Sequence, residues 1–465
     1  MERVGILVVS YGSRAAAMVD AFSLSENYNV EFYIIDKQKN PYNHVKIAEN
    51  GGEHIVIPTL EINGIHAAID AHKDEIDFGI VGPEGPIIDG IRDRVEEQLD
   101  IPMICPTKEY AIENSKVLQR ELIQDACSEA NPRFKVFDPE KYDNSPKDDV
   151  YAWLDELDNQ CAVKPDKPAV GKGVGIWGDH FNTREELYEH FIANYQKGPV
   201  IIEEKVDGEE FSLQFFSDGK HLIPTPTVRD YKRAFDGDRG PNTGGMGSYK
   251  DISSVLPFMS NKDWFDAQDI GDKIFEVLKG GDDGLGLRGT PMYMAYICAA
   301  KGLKILEINS RPGDPEIQNL LPILQNDFVD VCYKMIDGNL GKHGFDFKPK
   351  ATVVTYAVPM TYGGYRESFS GDTRVDLSKA YESDAFIYPG SMEIKNGETH
   401  TLSSRTVCAV GVGDSIEEAR NISLGAVRKI DGPLWNRWDI GSKEHINKSI
   451  EHMKKLRNYP LTKCT

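Results

Sequence analysis

At 465 residues the chain is longer than one hydrophobic core supports, so about three domains are expected. A hydrophobic content of 40% with 27% charged residues describes an ordinary soluble globular chain, and the net charge of −21 argues against broad nucleic-acid or membrane-surface binding, which needs a basic face. The seven cysteines (Cys105, Cys127, Cys161, Cys298, Cys332, Cys408 and Cys464) form no C-x-x-C pair, which excludes a disulfide framework and a cysteine zinc site. Most sit in apolar runs and are expected in the core, with Cys464 as an exposed tail thiol. Met1-Glu2-Arg3-Val4 enters a strand without a signal-peptide layout, and no apolar run approaches ~20 residues; a cytoplasmic protein without a membrane span is expected.

Residues 1–110 alternate apolar strands (4–10, 30–36, 54–58, 78–82) with helices (15–24, 61–72, 87–99), the pattern of a parallel, doubly wound sheet. Gly12-Ser13 lies at a strand-to-helix turn, where a helix N-terminus suits a phosphate. Gly82-Pro83-Glu84-Gly85-Pro86 is a second rigid turn, placed where ligands bind such sheets. Neither is G-x-G-x-x-G, so the dinucleotide fingerprint is absent, and either turn alone reads equally as a tight connection.

Pro102 and Pro106 mark a boundary, followed by an expected helix over 109–125 that carries Lys116. Residues 134–158 read as loop, then helix. Residues 161–176 read as strand, glycine loop and strand, with Lys164 on the first strand and Gly171-Lys172-Gly173 in the loop. Mobile backbone N–H groups beside a lysine can close over phosphates. No Ser or Thr follows Lys172, so this is not a Walker A loop, and a basic hairpin turn fits the same residues. A strand over 200–204 runs into acids at Glu203, Glu204, Glu209 and Glu210, which suit ribose hydroxyls or bulk water alike.

The most unusual run is 229–248. Gly237, Gly240, Pro241, Gly244, Gly245 and Gly247 exclude a helix or an ordinary strand, and the charges of Asp230, Lys232, Arg233, Asp236 and Asp238 exclude a bland linker. A loop that cradles a ligand is expected. A helix over 263–279 leads to a hairpin, 292–300 and 303–308, turning at Lys301-Gly302. Strand alternation places Glu307 and Asn309 on one side, a hard-oxygen pair suited to Mg²⁺ carrying nucleotide phosphates. Arg311 follows and can fork a carboxylate. An edge strand with an ordinary polar face contains the same pair. After a helix over 319–335 and a boundary near 345–350, strands at 351–358, 385–389, 392–394 and 405–413 precede helices at 415–430 and 443–456. This is a small α+β cap domain, dividing the chain at 1–110, 111–345 and 346–465.

Taken together, these motifs resemble the glycinamide ribonucleotide synthetase (phosphoribosylamine–glycine ligase) family of ATP-grasp enzymes. The most specific matches are Lys232-Arg233 with Gly240-Pro-Asn-Thr-Gly-Gly-Met-Gly247, and Glu307-x-Asn309-x-Arg311-x-Gly313-Asp314-Pro315-Glu316-x-Gln318. Weaker matches at Glu84, Pro106-Thr107, Ser115-Lys116, Lys164, Glu203-Glu204, Asp207 to Glu210 and Asp439-Ile-Gly441 fall in family order over nearly the whole chain. The resemblance implies a central ATP-grasp domain between the Rossmann-like and cap domains. The implied reaction joins glycine to 5-phosphoribosylamine through glycyl phosphate, with ATP going to ADP and phosphate. Carried over, Glu307 and Asn309 hold Mg²⁺ or Mn²⁺. Lys116, Lys164, Gly171, Lys172 and Gly173 take ATP phosphates, Glu203, Glu204 and Val206 the adenine, and Glu210 the ribose. Arg311 holds the glycine carboxylate and Asp230 its ammonium, with Lys232 beside them. Gly12, Ser13, Arg14, Glu84, Arg233, Asn242, Thr243, Gly244, Gly245, Met246, Asp314 and Glu316 seat the substrates. A monomer or weak homodimer, with no nucleic-acid or membrane partner, is implied.

The chain departs from the family pattern in places. Gly12-Ser13-Arg14-Ala15-Ala16 stands where Gly-Gly-Arg-Glu-His is usual, and Arg229 and Tyr231 stand for Gln and His. Ala295 occupies a hairpin position that commonly offers a second metal ligand, beside an unfamiliar Thr290-Pro291. The alternatives are an ATP-grasp ligase with another amine acceptor, and a nucleotide-binding regulator without turnover. The joint presence of Glu307, Asn309, Arg311, Lys116, Lys164 and Lys172 weighs against the regulator.

Overall fold

The computed structural model describes residues 1–142, 145–168, 173–281, 283–341 and 344–458. The first segment contains strands β1 (Glu2–Val9), β2 (Tyr28–Asp36), β3 (Gly52–Val56), β4 (Phe78–Val81) and β5 (Met103–Ile104). Its helices are α1 (Gly12–Ser23), α2 (Pro41–Asn50), α3 (Ile62–Asp70), α4 (Glu84–Ile88) and α5 (Ile91–Leu99). The strands form one parallel sheet in the order β3-β2-β1-β4-β5. Alternate residues of β1 feed two separate cores, Val4, Ile6 and Val8 on one face and Leu7 and Val9 on the other. Apolar strands without alternation are thus explained by burial on both faces. The chain order reverses between β1 and β4, so the Gly12 and Glu84 turns meet at the switch point where such sheets bind ligands. Helix α2, absent from the sequence reading, is started by Pro41 at its first turn and by the Asn40 side chain, which accepts from Tyr42 and Asn43 N–H.

The expected helix over 109–125 begins later, as α6 (Lys116–Cys127), after two 3-10 turns. Ser115 decides the start by capping Leu118 N–H at 3.1 Å. Next come β6 (Phe134–Phe137), α7 (Lys147–Glu156), β7 (Cys161–Pro165), β8 (Gly175–Ile176), α8 (Arg184–Tyr195) and β9 (Val200–Glu204). Their antiparallel sheet runs β6-β9-β7-β8. A second antiparallel sheet, β11-β10-β16-β17, is built from β10 (Gly208–Asp218), β11 (Leu222–Pro224), β16 (Arg288–Ala299) and β17 (Gly302–Asn309).

The glycine-rich run is more ordered than its composition suggests. After β12 (Arg229–Asp230) it folds into a hairpin of β13 (Arg233–Phe235) and β14 (Arg239–Asn242), then β15 (Gly247–Lys250). Asp238, with φ 55°, and Gly237 and Gly240, with φ 73° and 80°, supply the left-handed conformations the tight turn needs. Helix α9 (Asn261–Lys279), closed by the Ser260–Asp263 capping box, leads to the hairpin of β16 (Arg288–Ala299) and β17 (Gly302–Asn309). The expected 319–335 helix is two, α10 (Glu316–Leu320) and α11 (Phe328–Ile336), interrupted at the Pro322 turn.

The last segment holds β18 (Ala351–Pro359), α12 (Ser378–Tyr381), β19 (Phe386–Pro389), β20 (Met392–Lys395), β21 (Glu398–Thr401), β22 (Val407–Gly413), α13 (Ile416–Val427), β23 (Leu434–Trp435) and α14 (Lys443–Arg457). The expected boundary near 346 does not separate sheets: β12 and β15 join β18, β22 and β19 in one sheet, which β23 extends from β18. One apolar core likewise joins Val8, Met246, Tyr296, Val354 and Met453. Among the described residues no helix is long and apolar enough to cross a membrane.

Candidate active site

In the β16–β17 hairpin Ala295 stands opposite Glu307, and Tyr293 opposite Asn309. Glu307 and Asn309 share a face, and both line a cleft of about 690 Å³, as does Arg311 just past the strand. Burial alone would push the Glu307 carboxyl up. Lys232, Lys164, Arg311 and Lys116 together outweigh it and hold the group below the ordinary carboxylate range. In a chain of net charge −21, basic side chains are thus concentrated around one carboxylate.

Lys116 is the first residue of α6, and Ser115 Oγ ties that helix start to Asp166 Oδ1 at 2.6 Å. Burial pushes the Lys116 ammonium down, with Glu307 pulling the other way. Lys164, on β7, pairs with Glu203 on β9, which also takes Arg120 at 2.8 Å. Arg120, 3% exposed, donates to the carbonyls of Ile305 and Leu306, each at 2.8 Å. One guanidinium therefore joins the β6–β9 sheet to the β17 strand and sets the spacing between two walls of the cleft. Burial raises the Glu203 carboxyl, but Arg120 and Lys164 prevail and hold it low. Glu204, Val206 and Glu210 line the same cleft.

Across the cleft stand Asp230, Lys232, Arg233, Asn242, Thr243 and Gly244. Lys232 Nζ lies 3.4 Å from Glu210 Oε2 and 3.9 Å from Asp230 Oδ2. Burial raises the Asp230 carboxyl against the pull of Lys232. Burial and the nearby Asp230 push Glu316 up to about 7, although Tyr293 Oη donates to it at 3.0 Å. Asp314 accepts from Arg405 Nη2 at 2.8 Å, Tyr356 Oη at 2.7 Å and Gln318 Nε2 at 2.9 Å. Arg405 Nη1 also donates to the Gly244 carbonyl at 2.6 Å, which draws the glycine-rich run against the 311–318 run.

Glu84 lines the cleft with its carboxylate 3.8 Å from Arg311 Nε. Gly12, Ser13 and Arg14 do not line it. Ser13 Oγ bonds to Tyr356 Oη and to Gln318 Nε2 at 3.2 Å, and Arg14 Nη1 donates to the Pro312 carbonyl at 3.0 Å, so this turn braces the 312–318 run. Ala15 and Ala16, where the family pattern is polar, are fully buried. Gly245 and Met246 also lie off the cleft. The Met246 side chain is in the core, its N–H donates to Tyr231 O, and its carbonyl accepts from Tyr356 N–H. The structure therefore places Met246, expected beside the substrates, in the core behind the cleft. Gly173 lies off the cleft with its carbonyl bonded to His190, and Gly171 and Lys172 lie outside the described residues. Sequence reasoning missed Glu113, Arg120 and Arg405. Glu113 lines the cleft, accepts from Arg311 Nη2 at 3.2 Å and Ser310 N–H at 3.3 Å, and is pushed by burial to about 7.

Residues 4–113 match the family model of the phosphoribosylglycinamide synthetase N domain, and residues 115–317 that of its ATP-grasp (A) domain. The chain belongs to the phosphoribosylglycinamide synthetase family. The phosphoribosylamine–glycine ligase of Methanocella arvoryzae is 35% identical to it over 97% of this chain and 99% of its own length. The crystal structure of the Thermotoga maritima ligase superposes with a TM-score of 0.73 at 24% identity, covering 94% of this chain and all of that one. The biotin carboxylase domain of Hydrogenobacter thermophilus 2-oxoglutarate carboxylase, solved with MgADP, superposes at 0.63 with 14% identity over 98% and 96% of the two chains, a likeness of fold. As a phosphoribosylglycinamide synthetase family member, the chain is a carbon–nitrogen ligase of purine biosynthesis with the ATP-grasp fold.

Proposed function

We propose that this cleft joins glycine to 5-phosphoribosylamine, converting ATP to ADP and phosphate through glycyl phosphate. The observation that carries the reading is the convergence of Glu307, Asn309 and Arg311 with Lys116, Lys164 and Lys232 in one cleft. A carboxylate is a poor electrophile, so the glycine carboxylate oxygen first takes the γ-phosphoryl group of ATP. The phosphoribosylamine nitrogen then attacks the acyl carbon and phosphate leaves, forming the amide. The chain's task is alignment and charge neutralisation, and its residues divide accordingly.

Lys116 and Lys164 grip the phosphates, while the β9 end from Glu203 to Val206 faces the adenine and Glu210 the ribose. Arg311 forks the glycine carboxylate. Asp230, with Lys232 beside it, holds the ammonium. The Asn242 to Gly244 strand end, Glu84 and Asp314 seat the phosphoribosylamine. Glu307 and Asn309 fit a divalent cation, Mg²⁺ by our reading: their oxygens are hard, they share a face, and Glu307 is held ionised. Among the described residues no group of three His, Cys, Asp or Glu side chains is gathered for a metal, and Ala295 faces Glu307, so ATP phosphates and water would complete the shell. Bound there, the cation would supply charge neutralisation for the transferring phosphoryl group. We assign part of the substrate seating, through Glu84, to residues 1–110, ATP handling and the other substrate contacts to 111–345, and a cap to 346–465.

The test is ADP release by the purified chain with glycine and freshly prepared phosphoribosylamine, each omitted in turn. ADP formation that needs both supports the reading. Turnover without glycine, or with glycine and a different amine only, refutes it.

A further inference from the structure

The cleft presents Arg311 as its carboxylate clamp, yet nothing on its own strand holds that side chain. Arg311 lies beyond the last ladder residue, Asn309, in a turn. An arginine has many rotamers to lose, so a clamp of this kind is effective only when something else fixes its plane. Three groups face its guanidinium. The Pro312 carbonyl accepts from Nη1 at 3.3 Å, Glu84 stands 3.8 Å from Nε, and Glu113 accepts from Nη2 at 3.2 Å. The neighbouring carbonyl moves with the same turn, and Glu84 is beyond hydrogen-bond distance. Glu113 is the one that comes from a separate element and is close enough to make a charge-assisted bond.

Glu113 is also the better anchored. It lies in a 3-10 turn directly ahead of Ser115, the cap that fixes Lys116 and α6. It is 9% exposed, and its second oxygen accepts Ser310 N–H at 3.3 Å. One carboxylate therefore holds both the side chain of Arg311 and the backbone just before it. It links the helix start that presents Lys116 to the turn that presents Arg311, two places expected to touch different reactants.

We propose that Glu113 is a positioning residue for glycine: it acts through Arg311, fixing the guanidinium plane so that the fork meets the carboxylate to be phosphorylated. This rests on the function proposed above. Glu113 itself has both oxygens engaged, so its effect on glycine is indirect.

The test is a double-mutant cycle on the full chain, reading glycine KM, ATP KM and kcat, with Glu113→Gln in the wild-type and Arg311→Met backgrounds. Gln keeps the volume but has one acceptor oxygen where two are needed. The expected result is a glycine KM raised at least ~10-fold with ATP KM within ~2-fold, the size typical of removing a residue that orients a direct ligand. In the Arg311→Met background the same change is expected to cost under ~3-fold in kcat/KM for glycine. Glu113→Asp, which keeps the charge but is one methylene short, is measured in parallel and takes over if the Gln variant does not fold. Its expected glycine KM lies between those of wild type and Gln, or at least ~5-fold above wild type where it stands alone. A glycine KM unchanged or lowered, an equal rise in ATP KM, or a penalty that persists without Arg311 overturns the proposal. A wild-type chain without glycine-dependent ADP release would instead refute the function itself, so the two failures are distinct.

Discussion

Replacing Glu203 by Gln tests the joint between the β6-β9-β7-β8 sheet and the β11-β10-β16-β17 sheet. The Glu203 carboxylate is 2% exposed and is the counter-charge for both Arg120 and Lys164. Removing one partner of a buried ion pair costs about 3–5 kcal/mol, because the remaining charge stays buried and unpaired. Arg120 would keep its bonds to Ile305 and Leu306, and Lys164 is partly exposed, so the low end, about 3 kcal/mol, is expected at neutral pH. Because the folded-state pKa of Glu203 is depressed, its contribution is present above the unfolded carboxyl's range and lost as pH falls through the folded value. The gap between wild type and variant therefore narrows in acid. Urea unfolding at several pH values measures it, with Trp153 as a reporter whose indole donates to the Ile202 carbonyl on β9 at 2.9 Å. The variant is also expected to raise ATP KM, since the spacing of the cleft walls is no longer set. A neutral-pH loss below ~1 kcal/mol, or a loss of the same size at pH 4 as at pH 7, would refute this account of what holds the cleft together.

Glu307→Gln removes the carboxylate that four cations face, and kcat/KM for ATP is expected to fall ~10²–10³-fold, checked by ADP release across a Mg²⁺ titration. Glu316, raised to about 7 from 4.5, contributes stability that is complete below the unfolded pKa and is lost as pH rises through about 7. The change is about 3 kcal/mol over that interval, and Glu316→Gln is expected to flatten it in urea titrations between pH 4.5 and 8. Arg405→Met leaves Asp314 and the Gly244 carbonyl without their common donor. Phosphoribosylamine KM is expected to rise ~10-fold or more with ATP KM little changed, read by ADP release at varied amine.

The strands of the first segment were legible because burial on both faces leaves an apolar run, and the β16–β17 hairpin because its turn and its alternation coincide. The expected grouping of Glu307, Asn309, Arg311, Lys116 and Lys164 rested on the family resemblance of the motifs that carry them, with strand alternation adding only that Glu307 and Asn309 share a side, and the fold brings these residues to one cleft. What spacing cannot show is a partner far away in the chain. Glu113 is one of 74 acids, in a 3-10 turn with no periodic signature, and only the fold brings it to Arg311. Arg120 sits on a helix face and Arg405 between strands, and each acts on carbonyls contributed by distant segments. Helix starts were misjudged where a single cap decided them, as at Ser115, and the glycine-rich run gave no sign that Met246 turns inward to the core. Helix α2 and strand β10 were overlooked because short polar helices and strands carrying acids lack strong periodicity.

The ladder between β15 and β18 has a practical corollary. Four successive residues, Gly247 to Lys250, take their inner neighbours from Thr352 to Thr355. A truncated form ending near 345 would strip β15 of that neighbour and bare a sheet edge beside the glycine-rich run, inviting self-association. The tail of this molecule is therefore inseparable from the part that carries the cleft, and shortened versions should precipitate sooner than they reveal an independent catalytic fragment.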